Sequence, residues 1–219
     1  MRCDEGLRAQ IADNLTRFEA WPARDTRLRR AAVAVTVTDV GPGAGLPGLP
    51  EPSTWSDEAA LLLTRRSASL RHHPGQWAFP GGRLDGGETL QQAALREMRE
   101  EVDVALDAAC VLGVLDDFVT RSGFAMTPVV VWGGAGLQTS PNPQEVASVH
   151  RIPLVEFQRD DAPVLTPTAT SEHPIIRMPV GDDWIAAPTA AIIYQFREVC
   201  LAGRSTRVAH FEQPEFAWR

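Results

Sequence analysis

A chain of 219 residues with 44% hydrophobic and 22% charged residues has the size and composition of one soluble globular domain, or at most two small ones. Its net charge of −7 disfavours non-specific binding to nucleic acid or to an anionic membrane, so we expect neither partner. All 21 basic residues are arginine. This excludes lysine Schiff-base chemistry and a Walker-type phosphate lysine, and it makes arginine the side-chain cation for any phosphate.

The cysteines and the N-terminal residues predict a cytoplasmic location. Cys3, Cys110 and Cys200 are odd in number and match no zinc-binding spacing, which is typical of unpaired thiols in a reducing compartment. Residues 1–10 carry charges and no apolar core, so we expect no secretory signal. The apolar stretches are well short of the roughly 18 residues that a membrane-spanning helix needs.

The N-terminal part of the sequence predicts a helix followed by two strands. Within residues 1–22, apolar side chains recur at helical spacing at Leu7, Ile11, Leu15 and Phe18. Residues 31–38 then predict a buried strand, and residues 58–64 predict the strand that returns beside it. Between them, residues 41–56 are rich in glycine and proline, which indicates a long hairpin loop.

The rest of the chain predicts further strands and two helices. Residues 65–87 contain seven glycines and prolines and predict a loop, which leads into a helix over about 89–102. The tail, 203–219, has no clear pattern. Without repeats or a linker, the order of elements predicts a single mixed α/β (α+β) domain over residues 1–219, with a mixed β-sheet between helices. The later elements are strands at 110–119 and 126–133, a loop at 134–143, weaker strands at 149–153 and 175–180, and a helix at 187–201.

The helix predicted at 89–102 carries three carboxylates beside its apolar stripe. At about 100° per residue, Glu97, Glu100 and Glu101 fall within about one turn. They are either a solvated face balanced by neighbouring arginines or a site for a hard divalent cation. The preceding segment, FPGGRLDGGE, favours the cation, because its glycines let the backbone turn tightly and approach a ligand closely.

Residues 82–104 resemble the Nudix box, G-x5-E-x7-R-E-U-x-E-E-x-G-U, in which U is apolar. The one departure is Asp103, where the family has a glycine that ends the helix in a left-handed conformation. Aspartate tolerates that conformation better than most residues, so we expect a costlier cap and an intact site. The matching residues are Gly82, Glu88, Arg96, Glu97, Met98, Glu100, Glu101 and Val104.

The resemblance implies a Nudix-like α/β/α sandwich that hydrolyses a diphosphate bond with Mg²⁺ or Mn²⁺. It implies that Arg96 orients the carboxylates, that Glu88 supports them, and that Glu145 from outside the box acts as a base or an extra ligand. A solvated loop acid is the alternative interpretation of Glu145. The implied catalytic residues are Glu100, Glu101, Arg96 and Glu145. The implied metal ligands are Glu97, Glu101, Glu100 and the Gly81 carbonyl.

Residues 61–82, LLLTRRSASLRHHPGQWAFPGG, resemble the extended motif of the coenzyme A diphosphatase branch of the family. Trp77 stands where that branch usually has a smaller aliphatic residue, and Ala187 and Pro188 depart from its glycine-containing pattern. The resemblance implies cleavage of coenzyme A or acyl-coenzyme A. The products would be 4′-phosphopantetheine, with any acyl group attached, and adenosine 3′,5′-bisphosphate.

The same segment supplies the cations that such a polyanionic substrate needs. The candidate substrate-binding residues are Arg65, Arg66, Arg71, His73 and Gln76. Among them, Arg66 and Arg71 are the best candidates for the substrate phosphates. Any one of these arginines could instead pair with an acid, and His73 is better interpreted as a hydrogen-bonding loop residue than as a catalyst. Three tryptophans could stack on adenine, although a core or surface role is the simpler interpretation of each: Trp55, Trp132 and Trp184.

Two other functions remain open on sequence alone. One is a Nudix hydrolase of ADP-ribose, a dinucleotide or a nucleoside triphosphate. The other is a catalytically silent domain that senses a nucleotide, although the presence of Glu97, Glu100 and Glu101 speaks against it. In each case the expected partner is a nucleotide-like small molecule, and a homodimer is left open.

Overall fold

The chain has a mixed α/β fold, which the computed structural model describes for residues 1–169 and 171–214. The helices are α1 (Glu5–Thr16), α2 (Leu90–Val102) and α3 (Thr189–Phe196), the last of which continues as a π-helical turn over Arg197–Leu201. The strands are β1 (Arg29–Gly41), β2 (Ser56–Arg66), β3 (Trp77–Ala78), β4 (Gly81–Arg83), β5 (Val111–Val114), β6 (Phe118–Val119), β7 (Phe124–Gly134), β8 (Val146–Pro153), β9 (Val164–Thr168), β10 (Ser171–Val180) and β11 (Asp183–Ala186).

The central sheet is mixed and follows the order β3-β2-β1-β7-β5, with β4 beside β1, β6 beside β7 and β8 beside β2. Its centre is the parallel pair of β1 and β7, while β1 and β2 are antiparallel. Residues 41–56 connect these two antiparallel strands, as the sequence predicts. The predicted mixed sheet is therefore confirmed.

Helices cover both faces of this sheet because side chains of β1 alternate between them. Ala32 and Ala34 face α2 and share a core with Met98 and Val102. Val33, Val35 and Val37 face the opposite way, into a larger core. Because both faces are buried, β1 has no polar face to show in its sequence. The helical side chains in the larger core include Leu7, Ile11, Ile192 and Ile193.

A second, three-stranded sheet has the order β11-β10-β9 and is antiparallel throughout. Its central strand extends the predicted strand at 175–180 and buries Ile176 and Met178 in the larger core. The sequence analysis missed both outer strands. β9 contains a proline and is mostly exposed, and β11 has only four residues, so neither shows a clear strand pattern.

Two predictions need correction. Residues 65–87 were predicted to be all loop, but they contain β3 and β4, which pair with β2 and β1. Backbone pairing over so few residues leaves no periodic side-chain pattern. The strand predicted at 110–119 is interrupted between β5 and β6. There the buried Asp116 and Asp117 carboxylates accept hydrogen bonds from the N–H groups of Trp21 (2.7 Å) and Ala23 (2.7 Å).

The opening helix and the unpaired cysteines are confirmed. Asp4 caps α1 by accepting from the Leu7 N–H (3.0 Å), and Phe18 is buried just beyond the helix end. The three thiols form no disulfide, and burial raises the pKa of the Cys3 and Cys200 thiols. In the part of the chain that the structure describes, every helix is too short or too polar to cross a membrane.

Candidate metal centre and substrate cleft

Helix α2 carries the carboxylates of the candidate metal centre, and both of its ends are fixed locally. At the N-terminus, Thr89 and Gln92 form a reciprocal capping box. At the C-terminus, Asp103 adopts the left-handed conformation (φ 57°, ψ 35°), as the sequence predicts. The Val104 N–H bonds the Met98 carbonyl (3.2 Å), which closes the last turn. Because α2 buries its apolar stripe on the sheet, Glu97 and Glu101 emerge together beside β4.

The two glycines of β4 let the backbone approach these carboxylates closely. A Cβ at Gly82 would lie 2.1 Å from Oε1 of Glu97 and would force that carboxylate to move, and a Cβ at Gly81 would lie 2.5 Å from the Ala32 carbonyl oxygen. The Ala34 N–H bonds the Pro80 carbonyl (2.8 Å), so Val33 and Gly81 form a pair without mutual hydrogen bonds. The Gly81 N–H and carbonyl therefore face away from β1, and the N–H bonds the Glu101 carboxylate. The Gly81 carbonyl is thus oriented consistently with its predicted role as a metal ligand.

A loop from outside the box brings Glu145 to the same place. Its start is bonded to the end of α2, because the Asn142 N–H donates to the Glu101 carbonyl (2.8 Å). A turn then joins the Glu145 N–H to the Asn142 carbonyl (3.0 Å). As a result, carboxylate oxygens of Glu97, Glu101 and Glu145 lie within 4.8 Å of one another. Glu100 is not part of this trio, so metal ligation by Glu100 stays a prediction.

The trio concentrates negative charge in a poorly solvated place. Burial, with Glu97 and Glu145 nearby, raises the pKa of Glu101 to about 8. Burial also raises the pKa of Glu97, although the hydrogen bond from Arg96 opposes that shift. A hard divalent cation prefers carboxylate and carbonyl oxygens and would offset this repulsion. The residues present therefore fit such a metal.

Arg96 ties the neighbouring carboxylates together, as the sequence predicts. Its Nε donates to Glu88 (2.8 Å), and its Nη1 donates to Glu97 (2.8 Å) and Glu100 (2.9 Å). Its Nη2 reaches the Arg83 carbonyl (3.0 Å), which joins the helix to β4. These bonds lower the pKa of Glu88 and raise that of Arg96. The guanidinium group of Arg96 therefore bonds three carboxylates and one carbonyl of the protein itself.

Beside the trio lies a cleft of about 360 Å³. Arg66 and His73 line it, together with Glu97, Glu101 and Glu145. The Arg66 Nε and the His73 Nδ1 are buried and have no hydrogen-bond partner in the described structure. Unpartnered buried nitrogens are costly. The Arg66 Nε–H can only donate, so it lacks an acceptor such as a phosphate oxygen, and the role of the His73 Nδ1 depends on the ring tautomer. Burial, with Arg66 nearby, also lowers the pKa of His73.

A second cavity, of about 370 Å³, adjoins the cleft at Pro188, which lines both. We call it the indole cavity, and its wall consists of Arg65, Gly75, Gln76, Trp77, Asp183, Trp184, Ala186, Ala187, Pro188 and Thr189. The three departures from the branch pattern, Trp77, Ala187 and Pro188, all lie in this wall.

The structure thus separates the predicted substrate residues into three groups. Arg66 and His73 lie in the cleft, and Arg65 and Gln76 lie in the indole cavity. Arg71 is exposed and lines neither.

The indole cavity also contains a residue that the sequence analysis missed. Asp183 pairs with Arg65 although 118 positions separate them, and no local pattern connects the two. Of the three tryptophans considered for adenine, only Trp184 lines either of these cavities. Trp132 belongs to the core, and Trp55 donates to Asp39 (2.6 Å).

Comparisons with known proteins place this geometry in a family. The NUDIX domain family matches residues 54–172, which is more than half of the chain. A protein of Pectobacterium atrosepticum, named "Uncharacterized Nudix hydrolase NudL", is 48% identical over 97 residues, covering 44% of this chain and 50% of that protein. A protein of the same name from Yersinia enterocolitica is 44% identical over 109 residues, covering 49% of this chain and 56% of that protein. The match thus spans about half the length of these curated relatives.

A solved structure supports the fold independently. The crystal structure of a MutT/nudix family protein from Enterococcus faecalis has a TM-score of 0.50 and 16% sequence identity. The alignment covers 87% of this chain and 68% of that one. At this identity the likeness concerns the fold alone.

Proposed function

The chain belongs to the Nudix family, and on that basis we propose that it hydrolyses the diphosphate bond of coenzyme A or of an acyl-coenzyme A. The products are 4′-phosphopantetheine, with any acyl group attached, and adenosine 3′,5′-bisphosphate. The observation that carries the proposal is the trio of Glu97, Glu101 and Glu145 at the edge of a cleft in which buried nitrogens of Arg66 and His73 have no partner among the described residues.

The proposed cofactor is Mg²⁺ or Mn²⁺. Glu97, Glu101 and Glu145 would hold it, with the Gly81 carbonyl as a further oxygen ligand. When bound, such an ion neutralises charge on the phosphoryl oxygens and lowers the pKa of a coordinated water. The protein's own part is to fix the carboxylates, which Arg96 does through Glu97 and Glu100.

Arg66 and His73 are the proposed ligands of the diphosphate. Both face the cleft and have an unpartnered buried nitrogen. An arginine offers two further N–H directions to a phosphate, so Arg66 can hold the diphosphate beside the carboxylates. Glu145 is the proposed base or additional ligand, because its loop is bonded both to α2 and to the Ser67 N–H (2.8 Å) next to Arg66.

A substrate panel tests this proposal. The purified protein is incubated with Mg²⁺ and coenzyme A, acetyl-coenzyme A, ADP-ribose, a dinucleoside polyphosphate or a nucleoside triphosphate, and the products are identified by mass. We expect 4′-phosphopantetheine from coenzyme A at the highest rate. Turnover of another substrate without coenzyme A would contradict the substrate assignment. A lack of any turnover would favour a nucleotide-sensing domain.

A further inference from the structure

Diphosphate hydrolysis as proposed leaves the indole cavity without a function. A substrate joined through a diphosphate extends on both sides of its phosphorus atoms and so needs two binding regions beside the metal centre. The indole cavity adjoins the cleft at Pro188. The cleft is also lined by Arg83, Phe124, Thr120 and Ser122, none of which lines the indole cavity. We call this group of residues the arginine wall.

The charged groups of the indole cavity neutralise one another. Arg65 pairs with Asp183, donates to the Gly75 carbonyl (3.0 Å) and stacks on the Trp77 ring (3.9 Å). The Trp77 Nε1 donates to the same Asp183 carboxylate (3.1 Å). A phosphate entering this cavity would meet a cation already paired with a carboxylate.

The remaining surface of the indole cavity is largely apolar. Trp184 is 40% exposed, and Ala186, Ala187 and Pro188 stand beside it. Arg177 stacks on the Trp184 ring at 4.5 Å but is not one of the lining residues. A wall of indole, alanine and proline with a few polar groups suits an uncharged chain that carries amides and apolar carbons.

The arginine wall contains a guanidinium group that no carboxylate in the described part of the chain neutralises. Arg83 lies over the Phe124 ring at 5.6 Å, and Arg29, which is not one of the lining residues, stacks on the same ring at 4.0 Å. Neither forms an ion pair with a carboxylate of the described residues, although Arg29 donates to the Ser122 carbonyl (2.7 Å). Uncompensated guanidinium groups beside hydroxyls suit a substrate arm that carries its own phosphate.

We propose that the indole cavity binds the pantetheine arm of the substrate and that the arginine wall binds the adenosine 3′-phosphate arm. The assignment rests on the proposed function, because it presumes that the substrate is coenzyme A or its thioester. It makes Trp184 in the indole cavity and Arg83 in the cleft determinants of specificity for different arms of the substrate. An acyl group at the end of the pantetheine arm then meets residues of the indole cavity.

Inhibition by each half of the substrate tests the assignment. Inhibition constants for 4′-phosphopantetheine and for adenosine 3′,5′-bisphosphate are measured on the wild-type protein and three variants: Trp184→Ala, Arg83→Ala and Trp21→Ala. We expect Trp184→Ala to raise the inhibition constant for 4′-phosphopantetheine about tenfold, because a packed aromatic contact is lost. The inhibition constant for adenosine 3′,5′-bisphosphate should change by less than about twofold. Arg83→Ala should do the reverse. Trp21, another exposed indole, lines neither region and is the matched control.

The outcomes separate the two proposals. Suppose that the wild-type protein hydrolyses coenzyme A. The arm assignment alone would then be overturned if Trp184→Ala left the inhibition constant for 4′-phosphopantetheine unchanged. It would also be overturned if Trp184→Ala weakened only adenosine 3′,5′-bisphosphate and Arg83→Ala weakened only 4′-phosphopantetheine. Failure of the wild-type protein to hydrolyse coenzyme A would overturn both proposals. Hydrolysis of coenzyme A without inhibition by either half would overturn the arm assignment alone. Circular dichroism and a thermal midpoint check each variant's fold. Trp184→Phe, which keeps an aromatic ring, should give an intermediate inhibition constant.

Discussion

The carboxylate centre and the indole cavity are neighbours, but they are built in different ways. Two members of the carboxylate centre, Glu97 and Glu101, lie one turn apart on α2. The indole cavity depends on Arg65 and Asp183, which come from distant strands and are 118 positions apart. Chemistry that follows from spacing along one helix is visible in the sequence, whereas contacts that follow from tertiary pairing are not. Substitutions in the indole cavity can therefore leave the spacing of Glu97 and Glu101 in the carboxylate centre unchanged.

The arginines show the same contrast. Arg96 and Arg65 are engaged with carboxylates and shape the protein itself. Arg66 lies between the two regions and keeps a buried nitrogen without a partner. The function of an arginine near this site therefore depends on whether its guanidinium group is already paired with a carboxylate of the protein.

The largest expected effect is at the carboxylate centre. Glu101→Gln keeps the shape of the side chain but removes a charge from the trio, so we expect kcat/KM to fall about a thousandfold or more, as for loss of a group that acts at the reacting centre. Steady-state kinetics with saturating Mg²⁺ measure it. Glu58→Gln, an exposed carboxylate outside both regions, is the control. Substantial activity in Glu101→Gln would mean that the metal centre lies elsewhere.

Substitutions of Arg66 and Arg71 test which of the two arginines contacts the substrate. Arg66→Ala should raise KM about 10- to 100-fold, the loss of one charge-assisted hydrogen bond to a phosphate. Arg71→Ala, five positions away and exposed, should change KM less than about threefold. Initial rates over a range of coenzyme A concentrations separate KM from kcat. Equal increases in KM for the two substitutions would show that the substrate also contacts the exposed segment around Arg71 and is not held by the cleft alone.

The sequence predicts the parts of this site that follow from local rules. The extent of α2, the clustering of its carboxylates and its buried stripe follow from periodicity, whereas the left-handed end at Asp103 followed from the family resemblance. The position of Glu145 needed the resemblance to a family, because its loop reaches the trio only through backbone bonds to the end of α2. The strands β3 and β4 were missed because backbone pairing alone defines them.

Of the predicted substrate residues, Arg66 and Arg71 were favoured for the phosphates, but only Arg66 lines the cleft. Arg65, Arg66 and Arg71 look alike in sequence, and the acid that distinguishes Arg65 lies on β11. The short strand β11 itself gives no clear signal, so neither Asp183 nor the indole cavity could be derived. Tertiary packing, which local patterns do not encode, decides which of these arginines is available.

A smaller effect concerns the stability of the metal-free protein. The pKa of Glu101 is about 8 in the folded state, above its ordinary value of about 4.3 in an unfolded chain. The folded state therefore binds this proton more tightly. The resulting stabilisation is complete below about pH 4.3 and is lost as the pH rises through about 8.

In EDTA, the free energy of unfolding of the wild-type protein should consequently fall by about 1–3 kcal/mol relative to Glu101→Gln between pH 5.5 and 8.5. Urea unfolding at several pH values measures the difference, and Mg²⁺ should restore the stability of the wild-type protein at pH 8.5. Parallel pH profiles for the two proteins would contradict the raised pKa.

The smallest expected effect is at Asp103, which ends the helix of the carboxylate centre in a left-handed conformation. Glycine adopts that conformation without steric cost, so Asp103→Gly should raise the free energy of unfolding by about 0.5–1 kcal/mol, after allowing for the greater chain entropy of glycine. Asp103→Ala, which lacks a polar group to bond the local backbone, should lower it by a similar amount. Chemical denaturation measures both. Because Asp103 lies one turn beyond Arg99 and outside the trio, kcat should be unchanged, and a loss of kcat in Asp103→Gly would mean that the cap also positions Glu101.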